Sequence, residues 1–70
     1  MEKSIYFVVA WSEAKQYSDA LKSLGIRYVI ETPEDIPTIE AGNLAIVFSS
    51  LPIRMYAKVK TLFGRNGEPY

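Results

Sequence analysis

Seventy residues without a cysteine or a histidine exclude disulfide staples, thiol chemistry and the His/Cys zinc centres that often steady a chain this short. Eight basic and eight acidic side chains cancel, so no overall field draws the chain to nucleic acid or to a membrane surface. Apolar residues make up 49% of the sequence, enough for one small core and suited to an assembled state.

Residues 4–10 (SIYFVVA) are β-branched and aromatic and predict a first strand. This apolar run ends at Trp11 and is too short to cross a membrane, so a cytoplasmic location is the default expectation. Ser12 offers an N-cap hydroxyl and Glu13 suits the positive end of a helix. Ala14, Tyr17, Leu21 and Leu24 follow at helical spacing, with Ala20 beside them, and Gly25 closes the helix. Residues 26–31 (IRYVIE) predict a second strand.

Residues 32–43 hold Pro33, Pro37, Gly42 and three acids and read as a loop, with one helical turn over 33–36. Residues 44–49 (LAIVFS) predict an almost wholly apolar, central third strand. Leu51-Pro52 opens a second helix. Met55, Tyr56, Val59, Leu62 and Phe63 give it an apolar face, and Gly64 ends it. Residues 65–70 contain an Asn66-Gly67 turn signal and suit a short edge strand.

The order β-α-β-β-α(-β) predicts an α/β chain of the α+β kind: one domain, a ferredoxin-like antiparallel sheet of split βαβ units with both helices on one face. A parallel three-stranded sheet is the competitor, and the loop is barely long enough for the crossover it needs. Ile5, Phe7, Val9, Ile26, Tyr28, Ile30, Leu44, Ile46 and Phe48 are expected to face the helices. Tyr6, Val8, Val29, Ala45 and Val47 then form a second face that is still apolar. An exposed patch of this kind marks an interface, which predicts a homodimer, or another protein, on these five residues. The alternative is that residues 65–70 fold back over part of it.

Few residues carry chemistry. The four glycines form no phosphate loop or dinucleotide fingerprint. Ser49-Ser50 lacks the glycines and the base of a nucleophile elbow and reads as a helix cap. Glu31, Glu34, Asp35 and Glu40 would serve a metal-dependent enzyme only if they gathered around a hard cation. Their spacing fits no calcium loop, and a solvated acidic loop is the plainer reading. Trp11 occupies a ligand-facing position at a strand-to-helix junction, or packs over the helix start. Arg54, Lys58, Thr61 and Arg65 form one stripe of the second helix. That stripe suits phosphate, as in a nucleic-acid-binding domain, or is simply the wet face of the helix. With no net charge and no exposed aromatics flanked by basic residues, nucleic acid ranks below a protein partner. No cofactor is implied.

Taken together, several segments resemble a family of small prokaryotic sulfur- or selenium-carrier-like domains. They are Tyr6-Phe7 to Trp11-Ser12, Ala20-Leu21, Gly25-Ile26, Pro33-Glu34-Asp35-Ile36, Gly42, Leu44-Ala45-Ile46, Phe48 and the final Tyr70, and they cover nearly the whole chain. That family carries a cysteine just before the glycine of its third segment. Here Ala41 precedes Gly42 and Asn43 follows, so the carrier chemistry the resemblance implies is not open to this chain. Thiol-redox folds place Cys-x-x-Cys at the first helix start, where this sequence has Trp11 and Ala14. The leading expectation is therefore a non-enzymatic module acting by self-association or partner binding.

Overall fold

In a computed structural model, which describes residues 2–70, the stiff β-branched run Ile5–Ala10 forms strand β1. A 3₁₀ turn over Trp11–Glu13 leads into helix α1, Ala14–Leu24. Strand β2 is Val29–Glu31, strand β3 is Asn43–Phe48, helix α2 is Ile53–Phe63, and strand β4 is Glu68–Pro69. The strands lie in the order β2-β3-β1-β4 and every neighbouring pair is antiparallel. This is the split βαβ, α+β arrangement expected from the element order, consistent with a ferredoxin-like sheet, and it rules out the parallel competitor.

Both helices lie on one face of the sheet. Phe7, Val9, Leu44, Ile46 and Phe48 from the strands meet Ala14 and Leu21 of α1 and Val59 and Phe63 of α2. An aromatic stack knits the layers. The Phe63 ring lies parallel to Phe7 at 4.2 Å and to Tyr17 at 4.6 Å, with Phe48 edge-on to Phe7 at 5.9 Å. Each such pair adds about 0.5–1.5 kcal/mol beyond its buried area. Of the nine side chains expected on this face only Ile30 escapes, at 45% exposure. Leu24, placed on the apolar side of α1 by spacing, lies on the rim and is also exposed.

Several local expectations are corrected. Ser12 caps nothing: α1 starts two residues later, with Glu13 at the N-cap and no side-chain hydrogen bond there. Ser49 and Ser50 do not cap α2 either, because Pro52 occupies that position and accepts the Tyr56 N–H at 2.9 Å. The second strand is half its expected length. Gly25 takes φ 71° at the end of α1, and the Ile26 N–H returns to the Leu21 carbonyl at 3.0 Å. Ile26 is thereby pulled into the core, and residues 26–28 peel away from β3 before the ladder begins at Val29.

The expected helical turn at residues 33–36 forms, with the Ile36 N–H on the Thr32 carbonyl at 3.0 Å. Asp35 reaches back to the Thr32 N–H at 3.0 Å, the reciprocal closure of a capping box. This knot turns the chain back beneath the sheet, so Ile36 and Ile39 pack on Ala45 and Val47 from the side the helices leave bare.

Candidate functional site

The face expected to bind a partner is covered by the chain itself. Ala45 and Val47 are completely buried under Ile36 and Ile39, and Tyr6, Val8 and Val29 are half-buried around them. Ala45 and Val47 are thus withdrawn from any interface. The reason is that two isoleucines, three residues apart in a proline-rich acidic loop, supply the apolar cover that was expected from a second molecule. Residues 65–70 add the rest: the Tyr70 ring stands edge-on to Tyr6 at 6.0 Å.

A polar network seals one margin of this second layer. Glu31, the only buried charged residue among those described, is 7% exposed. It accepts the Tyr70 hydroxyl at 2.6 Å and forms an ion pair and hydrogen bond with Lys3. The Lys3 ammonium also lies 5.2 Å from the centre of the Tyr70 ring. Lys3, and then Tyr70, hold the Glu31 carboxyl below its ordinary value. Glu31 in turn raises both Lys3 and Tyr70. Burying a carboxylate is costly unless it is paired and hydrogen-bonded, and both requirements are met here by residues 28 and 39 positions away along the chain. Beside this network Tyr6, Ile36, Pro37 and Tyr70 line a cleft of about 310 Å³.

The remaining candidates disperse. Among the described residues no three carboxylates are placed to share a metal ion. Glu31 is taken by Lys3 and Tyr70, Asp35 by the Thr32 turn, and Glu34 and Glu40 are exposed. The four loop carboxylates therefore do not gather around one point. Arg54 and Lys58 are exposed on α2, but Arg65 leaves the basic stripe to donate a hydrogen bond to the Val8 carbonyl. Trp11 stands 68% exposed at the 3₁₀ turn, so packing over the helix start is not its role. Ala41, just before Gly42, is exposed in the turn before β3.

The two sheet edges differ, and the backbone register shows how. Ladder bonds of an antiparallel strand alternate from side to side. The Trp11 N–H bonds the Gly42 carbonyl at 2.9 Å, so odd residues of β1 bond toward β3 and even ones outward. Arg65 on the Val8 carbonyl agrees; at Ser4, just before β1, the alternation breaks, its carbonyl taking the Tyr70 N–H at 3.0 Å while its own N–H goes to the Phe48 carbonyl at 2.8 Å. In β3 the odd residues then bond toward β2, so Val29 and Glu31 face inward and Ile30 turns its N–H and C=O outward. Among the described residues no strand covers it. Two and three residues earlier, Tyr28 and Arg27 make no backbone bond to another strand among the described residues. A cleft of about 540 Å³ opens between this segment and Ser49.

The fold and its edges define a small α+β domain with one guarded and one open sheet edge. Comparison with family models, with curated proteins and with solved structures returns no match to this chain. Among the described residues no helix is long and apolar enough to cross a membrane.

Proposed function

We propose that this chain is a non-enzymatic α/β module that works in the cytoplasm by self-association. The observation that carries the reading is the uncovered β2 edge, where Ile30 combines an outward-facing backbone with a large side chain left 45% exposed. Edge strands of this kind template pairing with another chain unless they are covered, charged or broken. The second sheet face is filled from within, so the edge replaces it as the surface for a partner.

Sedimentation or light scattering at roughly 100 micromolar, where a small transient-class interface is still populated, tests the reading. A dimer is expected, dissociating on dilution. A strict monomer at that concentration rejects it.

A further inference from the structure

We infer that Asn66 is a self-modification site: its side-chain amide is lost to the main-chain nitrogen of Gly67, and the isoaspartate that follows loosens the guarded edge of β1. The site lies on the opposite edge from the surface proposed above and stands without it.

Asparagine is one of the thermolabile side chains. Its cyclisation needs a side chain free to turn, an uncommitted N–H on the next residue, and no side chain there to obstruct the approach. Asn66 is exposed, and among the described residues no hydrogen bond holds its amide. The Tyr70 N–H on the Ser4 carbonyl and the pairing of Glu68 with Tyr6 turn the even residues of this segment toward β1. The Gly67 N–H therefore points away from the sheet, on the side where, among the described residues, no strand lies beyond β4. The third requirement is built in. A Cβ at position 67 would stand 3.1 Å from the Phe7 ring and 3.3 Å from the Ile5 Cβ, and Phe7 is itself stacked on Phe63 at 4.2 Å. The packing that demands glycine here keeps the asparagine before it labile. Asn43, the chain's other asparagine, is differently placed: it precedes the buried Leu44, whose N–H belongs to the ladder with Val9.

The Gly67 nitrogen, giving up its proton, bonds to the side-chain carbonyl carbon of Asn66. That carbon releases its amide nitrogen, which leaves with the proton as ammonia, and a succinimide remains. One water then opens the ring on either side. Opening at the side-chain carbonyl gives aspartate on an intact main chain. Opening at the main-chain carbonyl gives isoaspartate. The chain then runs through Cβ and is longer by one carbon, about 1.5 Å, and the former main-chain carbonyl becomes a free carboxylate. The register carries position 66 level with Val8, where Arg65 donates to the Val8 carbonyl. A carboxylate there accepts a charge-assisted bond from that guanidinium, stronger than the bond to a neutral carbonyl. The added carbon falls between Arg65 and Glu68, the residues that hold Val8 and Tyr6 of β1. Both changes act against the cover of this edge.

Wild type and Asn66→Gln, whose longer side chain cyclises far more slowly, are held side by side in mildly alkaline buffer for several days. Intact mass and peptide mapping follow both. The wild type should gain the mass difference between an amide and an acid, at residue 66 alone, with isoaspartate the larger product. Asn66→Gln should keep its mass. No conversion, or conversion at Asn43 as fast as at Asn66, overturns the site. The converted chain carries one more negative charge and separates on an anion exchanger. In its isoaspartyl form the Tyr6 amide should exchange with deuterium roughly fivefold faster than in the unaged chain, the loss of one net hydrogen bond. The Phe7 amide, bonded toward β3, should keep its rate. An unchanged Tyr6 rate in the purified isoaspartyl chain overturns the loosening of the edge.

Discussion

The sheet ends in two ways. On the outer side of β1, three devices close the edge. β4 is only two residues long and ends in Pro69, a residue that cannot donate to a ladder. Gly67 lets the segment before it come close, since a Cβ there would stand 3.1 Å from the Phe7 ring. Beyond β4, where β1 has no strand partner, the Arg65 guanidinium takes the Val8 carbonyl. The β2 edge is short too, and Pro33 follows it closely, but none of its outward groups at Ile30 is capped and its one charge, Glu31, is turned inward. A chain that guards one edge so fully and leaves an apolar residue on the other treats the two differently, and function is better sought at the one left open.

The largest effect should come from the strand under the guarded edge. Phe7 is buried and joins β1 to both Phe63 and Phe48. Phe7→Ala is expected to cost about 3–5 kcal/mol, against a total stability of roughly 4–10 kcal/mol for a domain this size. A urea melt should show the midpoint fall by about half or the cooperative transition vanish. Ile30→Ala on the open edge should move the same midpoint by under about 1 kcal/mol. Comparable losses at the two sites would mean that Ile30 is a core residue rather than a free one.

Next comes the network that ties the C-terminal residue to β2. Glu31 has its pKa lowered, so its contribution is complete above the ordinary glutamate value of about 4.3 and disappears as pH falls through the lowered one. Tyr70 and Lys3 have theirs raised, so their contributions are complete below ordinary values of about 10 and 10.4 and disappear as pH rises through the raised ones. Thermal midpoints should therefore form a plateau between these limits and decline outside them. Tyr70→Phe removes one donor from Glu31, lowers the plateau, and moves the acid decline up toward the ordinary glutamate value. Superimposable profiles for the variant and the wild type would show that the hydroxyl contributes nothing to folding.

Much of this contrast is readable from the residues. The alternation of β1 and β3 and the glycines after each helix place the helix-side core, and an Asn-Gly turn before the C-terminal residues announces β4. The second layer is not readable in the same way. Ile36 and Ile39 lie among Pro33, Pro37 and acids, a composition that describes a solvated loop, and only their three-residue spacing hints at a shared apolar face. The Lys3–Glu31–Tyr70 network joins the two ends of the chain to its middle, and no local pattern encodes such a closure. Without that cover, Ala45 and Val47 read as a docking surface. The open edge was equally hidden, because which residues of β2 bond outward depends on a ladder that starts only at Val29.

The smallest effect on stability, and the sharpest test of the contrast, belongs to Arg65. Its side chain is exposed and its replacement touches no core contact, so Arg65→Ala should shift folding stability by no more than about 0.5 kcal/mol. What changes is the edge. The Val8 carbonyl, with the outward groups of residues 8–10, becomes free to pair. With one open edge, association closes at two copies. With two, each pair can add neighbours at both ends and growth has no natural stop. Light scattering over a concentration series should show a wild-type mass bounded at the dimer and an Arg65→Ala mass that keeps rising. Adding Ile30→Lys to Arg65→Ala should restore a bound, because chains then pair only through β1. If Arg65→Ala scatters like the wild type at every concentration, the guanidinium is not what keeps that edge closed, and β4 with Pro69 is enough to guard it.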